Sequence, residues 1–540
     1  MKKMLLFVVA MLTAATSFAQ ADNDFEMEDP TWTKTISDAV ADPKDVYVNA
    51  PLVITNQGDV VKTGTFTQAF EFAGKELDPI AKSAYIVKYD KKGNEVWGNA
   101  LQGAATVTAI TADDAGNVFV AGVFADKVII TSTDGQTAEI NGMADNIDQV
   151  SGFIASFDKD GKLLAHKTVI PEANWDLFYT TLANEGFYML DSQFRINKIV
   201  VSGEKVYFTV RYVGDCTIDN VKLEGKIYDM GGWNTICTDI YSFAAIELDK
   251  SLSNARLLAS LSTSEEALIG YLEVMPLSMK LAADGKNVYV AGTGTGDLTI
   301  TTEKGSEDFS FEIAENGDQE RGFVVANVTT GDVNVFHAPV VSSLNSTFFT
   351  IADMQIVKEK LFISGSYIGR LAFDNTVASS GACDAFIAAL NTNELSVAWA
   401  ATSAISEGAA NKYNEVVNGM LVKEQRVGVL VDVIDMGSKE IIETNMFTTN
   451  SGGENASSNA LPIHISALTT SIAGIAANSN EGTASTLRYF ADEEFVQGIE
   501  TIDNGTLNIE NGAIFNLQGQ RVGKAQKGVY IQNGKKVVLK

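Results

Sequence analysis

Continuous apolar runs separated by tight polar turns recur along this chain, and the repeated phrase is longer than one strand. Its clearest copy is Val107-Thr108-Ala109-Ile110-Thr111-Ala112-Asp113, the turn Asp114-Ala115-Gly116-Asn117, then Val118-Phe119-Val120-Ala121-Gly122-Val123-Phe124. Other copies begin at Pro51, Ile196, Met279, Met354 and Gly419, the last the most degenerate. Successive apolar residues in the second strand, as in Val118-Phe119-Val120-Ala121, predict a strand covered on both faces. Gly64, Gly122, Gly292 and Gly365 recur at one place in the phrase. That position predicts backbone crowding or a bulge that excludes a side chain.

A third strand of its own type follows most copies, at 84–90, 152–158, 243–249, 322–328 and 385–391. A fourth carries Trp97, Leu164 or Trp399. A four-stranded unit that cannot bury its own faces must stack on its neighbours. The predicted fold class is therefore all-β: a β-propeller of four-stranded blades with inserted hairpins. A turn-rich β-sandwich is the competing reading, but it gives no reason for a repeated four-strand phrase. The ring is expected to be six-bladed, with seven blades the alternative. The sixth unit offers 460–468 as its third strand and no obvious fourth, while Trp32-Thr33-Lys34-Thr35-Ile36 stands alone near the start. Joining that early strand to the last unit would close the ring and remove two exposed edges.

Between second and third strands most units insert a hairpin, such as 128–136 with its Asp134-Gly135 turn. The longest departures are 171–195, with Trp175, Phe178, Tyr179, Phe187 and Tyr188, and 219–241, with Tyr228, Trp233 and Tyr241. The expected domain plan is a signal peptide at 1–19, the propeller at 20–468, a linker or docked segment at 469–498, and a small C-terminal β-module at 499–540.

Composition narrows the setting. With 540 residues, 46% of them hydrophobic and 20% charged, the chain can bury a large core. A formal charge of −28, from 68 acidic and 40 basic side chains, disfavours nucleic acid and anionic lipid as partners. Met1-Lys2-Lys3-Met4, the apolar run from Leu5 to Leu12, and Ser17-Phe18-Ala19 predict a secretory signal. No later stretch has the roughly 20 uninterrupted apolar residues of a membrane helix. Cys216, Cys237 and Cys383 are too few for a disulfide framework. Cys216 and Cys237 are close enough in sequence to pair across an inserted hairpin, with two separate buried thiols the other reading.

Chemistry-bearing motifs are sparse. His166, His337 and His464 lie far apart, each in or beside an apolar strand, which favours structural roles over a zinc site or a Ser-His-Asp triad. The segment from Asp158 to Lys162 begins like a calcium loop but lacks the closing glutamate, so a hairpin turn is expected. Asp113-Asp114, Glu265-Glu266 and Glu493-Glu494 read as solvated turns. Gly292-Thr293-Gly294-Thr295-Gly296 lacks the following Lys-Ser/Thr of a phosphate cradle. No catalytic, cofactor-binding or metal-ligating residue can be named on these grounds, and no cofactor is expected.

The phrase from Tyr85 to Trp97, together with Asp114 to Gly122, resembles the seven-bladed-propeller-type repeat (the SBBP repeat) of secreted and surface bacterial proteins. The resemblance implies a propeller and export, and it brings no common catalytic residues. Residues 513–522 and 527–540 are similar to the C-terminal sorting domains of Bacteroidetes type IX secretion cargo. That resemblance implies outer-membrane secretion machinery as a partner and an extracellular or cell-surface location; without a functional tail the protein would be periplasmic. The leading functional expectation is a non-enzymatic binding or scaffold protein that presents a loop-lined face to a glycan or protein ligand. The alternative is a propeller-fold carbohydrate-active enzyme, a glycosidase or lyase, because one fold hosts both kinds of activity. A purely structural surface component is the third.

Overall fold

The computed structural model describes residues 29–37, 39–40, 51–142, 150–171, 194–212, 215–225, 228–229, 236–237, 241–263, 276–312, 320–338, 348–379, 383–403, 405, 412–423, 426–492, 500–502, 514–515, 528–532 and 535–539. The expected signal peptide at 1–19 lies outside them.

Four-stranded antiparallel meanders follow one another along the chain. The first unit comprises Leu52–Ile54, Val60–Phe66, Ser83–Tyr89 and Glu95–Gln102, and the second Ala105–Ala112, Val118–Ala125, Val150–Phe157 and Leu163–Pro171. The third is Phe194–Ser202, Lys205–Tyr212, Ser242–Asp249 and Arg256–Thr263; the fourth is Pro276–Ala283, Val288–Thr302, Arg321–Asn327 and Asp332–Ala338. The fifth is Phe348–Val357, Lys360–Ile368, Asp384–Asn391 and Val397–Thr402; the sixth is Tyr413–Lys423, Arg426–Asp435, Ile441–Asn450 and Ser457–Ala460. The first-named strand of each unit touches the first-named strand of the next, round to a closing unit that touches the first. The fold is an all-β propeller with its axis among these innermost strands. Its cores lie between adjacent units, as where Ile154 and Phe119 of the second meet Ile196 and Phe208 of the third.

The count of six is corrected. The third strand of the sixth unit is Ile441–Asn450, which carries Thr444, Asn445, Thr448 and Thr449 buried and so lacks the apolar run of its counterparts. The stretch 460–468 instead ends the sixth unit and enters a further one, formed by Ala467–Ser471, Gly474–Glu481, Ala484–Ala491 and the early strand Trp32–Ile36. Closure therefore runs through Trp32↔Tyr489 to Ile36↔Ser485, not through 460–468. Residues 469–491, expected as linker or docked segment, are strands of the ring. Their Ser, Thr and Asn mislead because the seam is held by a buried polar network. Ser485 Oγ donates to Asn480 Oδ1 (2.8 Å), Asn478 Nδ2 donates to Ser466 Oγ (3.0 Å), and the buried Lys62 Nζ of the first unit donates to Ser485 Oγ (2.5 Å).

Three inserted hairpins extend the sheet of the preceding unit, while Phe70–Phe72 with Lys75–Leu77 and Arg370–Leu371 with Asp374–Ala378 form separate two-stranded sheets. Lys127–Thr131 pairs with Glu95–Gln102, Cys216–Ile218 with Leu163–Pro171, and the far half of Val288–Thr302 with Arg256–Thr263. Each covers an outer edge that would otherwise offer unpaired backbone groups. Tryptophans on fourth strands tie neighbours together in the same direction. Trp32 Nε1 donates to Lys91 O (3.2 Å), Trp97 Nε1 to Lys159 O (3.0 Å) and Trp399 Nε1 to Ser451 O (3.0 Å), each in the next unit's hairpin turn. The rings lie over the turn glycines Gly93, Gly161 and Gly453, where a Cβ would meet them at 2.9 Å or less.

At the C-terminus Glu500–Ile502, Ile514–Phe515, Gly528–Gln532 and Lys535–Leu539 form one small four-stranded sheet.

Candidate functional site

The two ends of the ring differ. At one end tight turns join first to second and third to fourth strands, with a carboxylate or amide accepting backbone N–H groups: Asp113 Oδ1 from Ala115 and Asn117, Asp158 Oδ1 from Asp160 and Lys162. At the other end lie the connections between second and third strands and between successive units, such as 67–82 and 103–104.

Several innermost strands carry a bulge at equivalent positions, between Val107 and Ala109, Ile196 and Lys198, Ile351 and Asp353, and Val417 and Gly419. The recurring glycine opposite is a consequence: a Cβ on Gly122 would stand 2.1 Å from Thr106 O, and one on Gly365 1.8 Å from Thr350 O. A bulge breaks the regular alternation of the strand and re-aims the next side chain. In the third, fourth and fifth units the residue opposite the one preceding that glycine position is charged. Lys198 faces Thr209, Lys280 faces Ala291 and Asp353 faces Ser364.

These three side chains converge at the axis. Lys198 Nζ lies 2.5 Å from Asp353 Oδ1, a bond between the third and fifth units with the fourth between them. Asp353 Oδ1 also accepts Met354 N–H (2.8 Å), and Oδ2 accepts Gln355 Nε2 (3.3 Å), which reaches on to Met420 O (2.8 Å) in the sixth unit. Burial alone would raise the Asp353 carboxyl, but the Lys198 charge and hydrogen bond, with the Met354 amide, outweigh it and hold the pKa below the usual range. Lys280 is pushed down to about 8 by burial, with Asp353 opposing the fall and Lys198 and Arg195 adding to it. The arrangement can hold an anion or hydrogen-bond a polar group, and nothing in the sequence reading had singled it out.

Among the described residues, the histidines and Asp113, Asp114 and Asp158 are not brought together. His166 is exposed on the second unit's outer strand. His337 Nδ1 is 3.3 Å from Glu320 Oε1, and His464 Nδ1 is 3.1 Å from Thr444 Oγ1 and 3.3 Å from Asp432 Oδ1. Asp158 caps a hairpin turn. Asp113 is buried, not solvated as expected, because Lys250 of the third unit (3.0 Å) and the turn's own N–H groups satisfy it. Asp114 receives Asn56 Nδ2 of the first unit at 2.7 Å. Cys216 and Cys383 are buried, whereas the Cys237 side chain lies outside the described residues, as do Glu265, Glu266, Glu493, Glu494 and the aromatic side chains at 172–193, Tyr228 and Trp233. Tyr241 is described and lies under Arg211, whose Cζ is 4.7 Å from the ring centroid. Among the described residues no group of three or more His, Cys, Asp and Glu side chains is arranged to hold a metal ion, and no helix is long and apolar enough to cross a membrane.

No protein-family model matches the chain. An uncharacterized WD repeat-containing protein of Acanthamoeba polyphaga mimivirus is 32% identical over 85 residues, which span 15% of this chain and 6% of that protein. Solved structures similar in fold include BamB from Moraxella catarrhalis (11% identity, TM-score 0.32, covering 86% of this chain and 98% of that one). They also include the WD40 domain of SCAP from fission yeast (9%, 0.34, 85% and 99%) and a polysaccharide lyase (6%, 0.39, 85% and 99%). The likeness is one of fold alone, and the propeller assignment rests on the strand pairing.

Proposed function

We propose that this chain is an exported or cell-surface β-propeller that acts by binding, presenting its axis and the loop-rich end of the ring to a glycan or protein ligand. The observation that carries the proposal is the charged group at the axis: Lys198 and Asp353 join non-adjacent units, and Lys280 stands between them. A ring held only by packing has no need of charges there. Burying charges costs free energy unless they are paired, so their placement favours a polar ligand over a purely structural axis. Export is proposed from the N-terminal segment, and surface sorting from the resemblance at 513–540.

The mature chain, screened on a glycan array and by titration of the hits, tests the reading. Saturable binding without turnover supports it, provided that Lys198→Ala and Asp353→Ala weaken the binding. Product formation abolished by a carboxylate substitution would support a carbohydrate-active enzyme instead.

A further inference from the structure

The axial charges do not balance. Lys198 gives one of its three N–H donors to Asp353, whose second oxygen already accepts Gln355. Lys280, half-buried on the innermost strand of the fourth unit, has no hydrogen bond or salt bridge to its Nζ among the described residues. Arg195, exposed one bulged turn of strand before Lys198, adds a third cation to the same field. The local excess is thus cationic inside a chain of net charge −28. A half-desolvated ammonium near Asp353 but bonded to no carboxylate is a costly arrangement, and an anion seated against it reduces the cost.

We propose that the axis between the third, fourth and fifth units is an oxyanion subsite, with Lys280 as the principal contact and Lys198 shared between Asp353 and the ligand. The ligand class is an acidic glycan bearing carboxylate or sulfate. This rests on the reading of the axis as a ligand site and specifies what it accepts. The acidic exterior repels polyanions in general, so selection falls to a group small enough to reach the axis.

The mature full-length chain is titrated with an oligogalacturonate, a sulfated oligosaccharide, neutral oligosaccharides of matching size, and inorganic sulfate. Binding of an acidic sugar, weakened at least about tenfold by Lys280→Met and restored by Lys280→Arg, is the expected result. An unchanged unfolding midpoint for Lys280→Met shows that the loss is not one of folding. Equal affinity for acidic and neutral sugars, or acidic binding indifferent to Lys280→Met, overturns the subsite while leaving the binding function standing. Failure of both acidic sugars to saturate overturns it too, and only failure of the neutral sugars and of all array hits as well removes the broader reading. Inorganic sulfate binding as tightly as the sulfated sugar overturns the assignment to a glycan.

Discussion

Trp32 and Tyr489 are direct partners across antiparallel strands drawn from opposite ends of the chain, with ring centroids 5.3 Å apart. The same indole lies 5.6 Å from the Tyr89 ring and bonds the Lys91 carbonyl, so one side chain joins the closing unit to the first. Trp32→Ala removes both the stacking and the bond. It is expected to lower unfolding free energy by about 2–4 kcal/mol, read from urea denaturation followed by circular dichroism.

The tryptophan ties between units predict a contrast between two glycines. Gly161 has φ +82°, and a Cβ there would lie 2.6 Å from the Trp97 ring; Gly135 has φ +81° with nothing within 4 Å. Both alanine substitutions carry the left-handed backbone penalty of about 1 kcal/mol, but Gly161→Ala must also displace the indole. The unfolding midpoint should fall clearly further for Gly161→Ala, and equal losses would remove the tie.

Lys62 sets a pH dependence on the seam. Burial pushes its amine down to about 7, against roughly 10.4 in an unfolded chain, and its hydrogen bond runs to the Ser485 hydroxyl rather than to a carboxylate. Below pH 7 both states hold the proton, and the cost of the buried charge is fully present. Between about 7 and 10 only the unfolded state holds it, so this group makes stability rise with pH. Lys62→Met should stabilise the protein at pH 6, by an amount on the order of a few kcal/mol, and flatten the rise. Denaturation midpoints across pH 6–10 for both proteins measure the difference.

Lys198 and Asp353 should be energetically coupled despite sitting in non-adjacent units. A double-mutant cycle with Lys198→Met and Asp353→Asn is expected to give about 1–3 kcal/mol of coupling, reduced by the partial solvent access of the pair. Additive effects would show that the two groups do not act as a pair.

Removal of 499–540 tests the proposed address. The truncated chain should accumulate in the periplasm, and its unchanged appearance outside the cell would end the sorting proposal.

Much of the fold is written in the sequence because two-sided burial produces uninterrupted apolar strands. Val118–Ala125, Lys205–Tyr212 and Asp384–Asn391 all announce themselves in this way. The recurring glycine is legible for a related reason, since the bulge beside Thr108 leaves no room at Gly122. What escapes is structure buried through polar bonding. In Ile441–Asn450, Thr444 is satisfied by Asp432, and in Gly474–Glu481, Asn478 is satisfied by Ser466 and Ser485, so strand cores there read as loop composition. The axial site was within reach but unread. Aligning the phrases on the glycine position places Lys198, Lys280 and Asp353 in one column of the innermost strand.

Ring closure by the strand Trp32–Ile36 on Ala484–Ala491 is the claim on which the architecture depends. Thr35 and Thr486 are register partners with hydroxyls 3.0 Å apart, which makes Thr35→Cys with Thr486→Cys the direct test. Mild oxidation followed by non-reducing peptide mapping should find that pair linked within one chain, and no link when Thr35→Cys is combined with Ile463→Cys. A link in the second combination and none in the first would contradict the closure.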